Sequence, residues 1–343
     1  MSDVRVIGER GDAAARLLAS ARARVSAAAS DLALPEGLRL TDRQRTTIFA
    51  LLAHLVRSVE EALRAELAGK VAGDALQAAL SSAHVEIALP VLSGAPAIAE
   101  PTLIDLLLRR AEEHRLHRAA AGENALLVEL AGNGDEIVAR EAMALLIAQN
   151  GRLDGFGEPV LPRGDLPAEL EHHLVWTVAA ALRRYMIGCH GANPTACDDA
   201  LSAAALRALA GHDEGETAEA RAMRLALALR DAGRLEESGL LARALTQGSL
   251  PLFLALLALR TGLTAAAAWE VLSASSGPVL LLRAAGLARD EAAAILLAWG
   301  LPEPALAAAL DRLDGTGVEA ARSLLSLWQG DPGYRAAIAR LAA

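Results

Sequence analysis

Glu169 and His172 stand one helical turn apart, with His173 beside them. A Glu-x-x-His pair on one helix face is half of the set that holds a di-iron centre in a helix bundle. The full set needs a second such pair and two further inward glutamates, and no second Glu-x-x-His copy is present. The expected reading is a solvated polar face ahead of the apolar run Leu174 to Leu182. Cys189, His190 and Cys197 follow in a glycine-rich stretch, GCHGANPT and beyond. Zinc sites favour closely spaced pairs such as Cys-x-x-Cys. The wider spacing here points to ordinary thiols, so no metal site is expected.

Arginine supplies the one constellation that stands out. Arg109, Arg110, His114, Arg115 and Arg118, with His117 among them, form the densest basic cluster. At helical spacing they could share one edge and bind phosphate or a carboxylate-rich partner. They are the candidate anion- or partner-binding residues. Glu112 and Glu113 interrupt them, so local salt bridging is the competing expectation. Arg183 and Arg184 make a weaker second cluster. The acidic loop His212 to Glu216 lacks the ligand spacing of a calcium loop. No nucleophile elbow, P-loop, dinucleotide glycine fingerprint or His-Glu-x-x-His motif is present. No catalytic residue, cofactor or metal is therefore expected, and an enzyme is the least supported class.

The elements that would carry these residues are helices. Of the 343 residues, 53% are hydrophobic but only 3% aromatic, so the apolar bulk is Ala, Leu and Val. Ala and Leu lose little freedom in a helix. No stretch alternates apolar and polar for a convincing strand length. The fold class expected is all-α. Trp176, Trp269, Trp299, Trp328, Phe49 and Phe253 sit within helical patterns and read as core anchors.

The formal net charge is −9. That argues against a nucleic-acid-coating surface, which normally carries excess basic charge. Two cysteines in so long a chain form no disulfide framework, which suits a reducing compartment. Arg16, Arg22 and Arg24 break any signal-peptide core. The longest apolar run, Leu250 to Leu259, falls far short of the roughly 20 residues that span a bilayer. The mean hydropathy of +0.30 thus points to buried helix faces. The expectations are a cytoplasmic location, no membrane insertion and no cofactor.

Helical segments are read at 12–31 and from Thr41, an N-cap, to about Leu67. Short units follow at 84–92, 102–111, 113–121, 124–131 and 135–148. A Pro- and Gly-rich segment, RLDGFGEPVLPRGDLP, runs from Arg152 to Pro167. A strong helix then reaches about Met186. Further helices are read at 198–210, 216–232, 236–245, 249–260, 264–273, 279–285, 289–299, 302–310, 317–327 and 332–341. Such short helices cannot bury a face alone, and stacked pairs would form an α-solenoid or two stacked helical domains. Val85, Leu116 and Ile137 read as equivalent positions of a degenerate repeat. The expected organisation is an extension at 1–37, helical repeats at 38–151, a connecting loop at 152–167 and a C-terminal helical domain at 168–343.

Three blocks resemble one bacterial family, catalogued as domain of unknown function 2336. They are Leu40 to Ala68, His84 to Leu107 and Leu153 to Met186, and VEIALPVL at Val85 to Leu92 is the most distinctive. The likeness runs from about Leu40 to about Gly300. It implies a HEAT-like antiparallel helical repeat protein of bacterial, often signalling-rich lineages, and brings no catalytic residues. Stacked helix pairs present extended surfaces. The function expected is a non-catalytic interaction scaffold or adaptor in bacterial regulation, with a protein partner. The alternatives are a small-ligand or nucleotide sensor with an inter-domain pocket beside the 155–167 loop, and a nucleic-acid-binding repeat, which the charge disfavours.

Overall fold

The computed structural model describes residues 40–71, 73–82, 85–93, 100–120, 124–274 and 276–342. The helix expected at 12–31 lies outside them, as do His84 and the turns at Gly94, Pro96 and Gly122. Among the described residues the regular structure is helical, so the protein is all-α. The first elements are α1 (Asp42–Leu67), α2 (Asp74–Ser81), α3 (Ala88–Leu92), α4 (Pro101–Ala119), α5 (Ala125–Ala131) and α6 (Glu136–Asn150). Then come α7 (Ala168–His190), α8 (Pro194–Leu209), α9 (Ala218–Asp231), α10 (Leu240–Thr246), α11 (Leu250–Thr261) and α12 (Ala265–Ser273). The last are α13 (Gly277–Ala284), α14 (Arg289–Ala298), α15 (Glu303–Gly315), α16 (Val318–Leu325) and α17 (Pro332–Ala342).

At the start of α1, Thr41 and Gln44 form a capping box. The Gln44 N–H donates to Thr41 Oγ1 at 3.2 Å and the Thr41 N–H donates to Gln44 Oε1 at 3.0 Å. Residues from Thr47 onward form one unit.

Two helices expected at 102–111 and 113–121 are one helix, α4. Glu112 and Glu113 are good helix formers and nothing at the join breaks the ladder. Pro101 opens α4, and Glu100 caps it by accepting the Leu103 N–H at 2.7 Å. Sequence reading missed α2, whose apolar signal is only Leu76 and Leu80. Arg64 of α1 holds its end, donating to the Leu80 carbonyl at 2.7 Å and the Ala79 carbonyl at 2.9 Å. The last-turn Leu80 carbonyl lacks an intrahelical partner and takes the arginine instead, while the Ala79 carbonyl also accepts the Ser82 N–H at 3.3 Å. Arg64 also reaches the Val85 carbonyl at 2.8 Å. Glu60 completes the clamp from one turn back, accepting the Ala88 N–H at 2.8 Å and the Ile87 N–H at 3.1 Å at the start of α3.

Two apolar cores lie within the unit, and they do not follow the two halves of the chain. One gathers α1 to α3, the first part of α4, Leu161, Leu166, α7 and α8. The other gathers Leu116, α5, α6 and α9 to α16. The chain enters the second core at α5, returns to the first at α7, and re-enters the second at α9. Helix α6 accordingly packs on α9 as well as on α5. α4 serves both cores, with Leu107 fully buried in one and Leu116 in the other. From α10 to α15 successive helices pack on one another, with longer-range contacts of α10 with α14 and of α13 with α15 and α16.

Helix α11 is apolar all round and buried along almost its whole length, as a core helix should be. Among the described residues no single helix is long and apolar enough to cross a membrane. Phe253 of α11 is fully buried and Trp269 is 6% exposed, as core anchors. Phe49 is not one: it is 63% exposed on the outer face of α1. Helical spacing places a ring on a helix without saying which face it takes. The proposed equivalence of Val85, Leu116 and Ile137 also fails, since Leu116 is buried and the other two are exposed.

Gly277 marks a close approach between α12 and α13. A side chain there would place its Cβ 1.6 Å from the Val271 carbonyl oxygen.

Candidate functional site

Helix α4 places Arg110 and Glu113 one turn apart on its inner face, where Arg110 Nη1 meets Glu113 Oε2 at 2.6 Å. Arg152 enters from the turn that ends α6. Its Nη1 reaches Glu113 Oε1 at 2.9 Å, its Nε reaches Asp165 Oδ2 at 2.7 Å, and its Nη2 reaches Glu219 Oε2 at 2.9 Å. Glu219, in the first turn of α9, turns its other oxygen to Arg110 Nη2 at 2.6 Å. Asp165 sits in a short 3-10 turn, and its second oxygen accepts the Ala218 N–H at 3.0 Å. One planar guanidinium thus holds three carboxylates from three separate segments, which a lysine could not do.

The electrostatics follow the geometry. Burial alone would lower the Arg152 pKa, but Glu113, Glu219 and Asp165 raise it well above its ordinary value. Burial would likewise raise the Glu219 carboxyl, yet Arg110, Arg152 and Arg109 hold it well below the usual range. Arg109 lies beside the cluster. Burial pushes its pKa down and the repulsion of Arg110 and Arg152 adds to that, while Glu219 counters. A buried charge group of this kind is costly to break, because each remaining partner would be left desolvated and unpaired.

The segment between Arg152 and Asp165 is therefore pinned at both ends. Between them the chain folds into a tight hairpin. The Asp154 carboxylate accepts the N–H of Phe156 at 2.8 Å and of Glu158 at 2.9 Å. The Asp154 N–H donates to the Glu158 carbonyl at 2.9 Å, and the Val160 N–H donates to the Arg152 carbonyl at 2.9 Å. Leu153 and Pro159 form an isolated antiparallel bridge. Gly157 takes φ +78°, a left-handed conformation that a side chain would strain. Just beyond, Leu161 and Leu166 are fully buried in the first core.

At the tip of this braced hairpin, Phe156 is 94% exposed. A phenyl ring in water on a loop whose backbone is tied by its own hydrogen bonds is not a core residue that has slipped out. The cavity beside the hairpin base, lined in part by Arg110, Gln149 and Arg152, measures about 30 Å³. That is room for a water or two.

The sequence-selected arginines separate in space. Arg110 is consumed in the buried cluster and His114 is buried. Arg115 pairs with Glu112 and donates to the Ala298 carbonyl at 3.0 Å, tying α4 to the end of α14. Arg118 is half exposed and stands 3.8 Å from Glu158 at the hairpin. Arg109 is half-buried, near Glu219. They do not share one exposed edge. Arg183 pairs with Asp198. Glu169, His172 and His173 lie on the exposed face of α7, where His172 accepts the Trp176 indole N–H at 3.1 Å. Cys189 is exposed, and Cys197 is buried with its thiol pushed up by burial and by Asp198.

Sequence reasoning missed Arg152, Asp165, Glu219 and Phe156. A signal was present: Asp154-Gly155-Phe156-Gly157 is turn chemistry around an aromatic, with an arginine and an aspartate flanking the segment.

Residues 87–326 match the model of a family described as "Uncharacterised protein conserved in bacteria (DUF2336)". The chain belongs to this family. In this DUF2336 protein the matched region holds the whole charge cluster and the hairpin, while the Glu60 and Arg64 pair lies ahead of it. The match begins later than the block resemblance at Leu40 and extends beyond Gly300, to residue 326. No curated protein and no solved structure matches the chain.

Proposed function

We propose that this DUF2336 protein is a non-catalytic interaction scaffold that docks another protein through the Phe156 hairpin. The observation that carries the reading is Phe156 itself: an aromatic side chain 94% exposed on a loop that is fixed before any partner arrives. Aromatic anchors dominate binding energy where they fill a partner's pocket. A loop already held in its bound form avoids much of the ordering cost of association. The buried cluster at the hairpin base supplies that rigidity. The partner surface that fits is an apolar pocket the size of a phenyl ring with a mixed-charge rim, since Arg118 and Glu158 flank the tip.

The test compares the purified full chain with Phe156→Ala as bait in native lysate, with quantitative identification of what is retained. The reading expects a partner held by the parent chain and lost by the variant, while both baits keep the same thermal midpoint. Equal capture by both baits would overturn it.

A further inference from the structure

A second site lies away from the hairpin, where the end of α12 and the start of α13 face the end of α14 and the helix α15. A groove of about 220 Å³ opens there. Its walls are mostly apolar side chains: Leu272, Leu296 and Ala309 are buried, Trp299 and Leu301 lie beside them, and Ser273 adds a hydroxyl. The walls are also fixed. The Trp299 ring meets Trp269 edge-on, with centroids 6.1 Å apart, and the Trp269 indole N–H donates to Asp105 at 2.9 Å.

Among the described lining residues one carries a charge, Arg312. Its Nε donates to the Ala308 carbonyl of its own helix at 3.3 Å, and no carboxylate pairs with it among the described residues. The nearest acids along α15 are taken: Asp311 and Asp314 both pair with Arg289. An apolar groove with one unneutralised guanidinium at its edge has a definite complement. It is a molecule with an apolar body and a single carboxylate, which arginine can accept through two parallel N–H bonds. An apolar cavity of about 150 Å³ holds benzene, so this groove suits a body of about six to ten carbons.

We infer that this groove binds a medium-chain or aryl monocarboxylate, its apolar body against Leu296 and Trp299 and its carboxylate on Arg312. The site is independent of the hairpin reading.

The experiment is calorimetric titration of the full chain with octanoate, with 1-octanol as the uncharged comparison. Two variants at exposed positions accompany it: Arg312→Gln removes the charge, and Ala274→Trp places a bulky ring at the groove edge. The inference expects saturable octanoate binding, weakened at least tenfold by Arg312→Gln and abolished by Ala274→Trp, with octanol indifferent to the arginine. Thermal midpoints identify a variant that has failed to fold, and the other variant then decides. Absence of saturable octanoate binding to the parent chain, or equal affinity in a folded Arg312→Gln or Ala274→Trp variant, would overturn it.

Discussion

Arg152 and Glu219 lie 67 positions apart in the chain and meet at 2.9 Å, joining the turn after α6 to the first turn of α9. The pair closes the excursion by which the chain leaves the second core, builds α7 and α8 on the first, and returns. The same arginine starts the hairpin that carries Phe156. Architecture and candidate site therefore share one side chain, and most consequences run through it.

Arg152→Met should be strongly destabilising. It leaves Glu113, Asp165 and Glu219 facing one another with too little positive charge, and breaking a buried ion group costs about 3–5 kcal/mol. Arg152→Lys should recover only a small part, because an ammonium cannot serve three carboxylates in a plane. Urea denaturation of the two variants and the parent chain checks both statements. A loss under about 1 kcal/mol for Arg152→Met would show that the cluster does not hold the fold together.

Glu219 sets a pH dependence. Its native pKa lies well below the ordinary 4.5, held there by the arginines against burial. The unfolded chain therefore binds a proton first as pH falls. The stabilisation is fully present above about pH 5 and is lost progressively below 4.5. Glu219→Gln should be less stable than the parent at pH 7, with the gap narrowing as pH drops from 5 toward 3. Denaturation midpoints across that range measure it, and a constant gap would contradict the assignment.

Glu171 should behave in the opposite sense. Burial raises its carboxyl pKa, and the pull of His212 Nδ1 at 2.8 Å and Arg163 Nε at 2.9 Å does not offset it. A raised native pKa means that the folded chain holds the proton more tightly. Its contribution is most favourable at low pH and declines as pH rises from 4.5 through the native value. Glu171→Gln should then match or exceed the parent's thermal midpoint at pH 7 to 8, with the advantage shrinking in acid. A clear loss of stability at pH 8 would show that the ion pairs outweigh the burial.

Phe156→Ala should leave stability unchanged to within about 0.5 kcal/mol, because an exposed ring contributes no burial. Phe253→Ala, by contrast, removes a fully buried ring and should cost about 3–5 kcal/mol. Chemical denaturation of both variants separates a surface anchor from a core one.

Helix content was legible in the sequence because Ala and Leu dominate and glycine and proline punctuate. Most elements from α5 onward match the expected spans to within a few residues. What stayed hidden was tertiary. Nothing local in Asn124 to Ala148 says that α5 and α6 join α9 rather than α7, because the partner face lies about 80 residues away. The arginine cluster illustrates the same limit. Spacing put Arg110 on a helix correctly, but only its carboxylate partner Glu219, 109 positions away in the chain, decides that it faces inward. Phe156 was overlooked for a different reason. Its turn residues were visible in a segment read only as a connecting loop, and composition does not say whether a loop aromatic is buried or exposed.

The docking account rests most directly on whether Phe156 touches another protein. Incorporating a photo-crosslinking phenylalanine analogue at position 156, and at the exposed Leu297 as a comparison, measures this in the native host. The account predicts a discrete adduct from position 156 that position 297 does not form. Irradiation that yields no adduct at 156, or the same adducts at both positions, would contradict it.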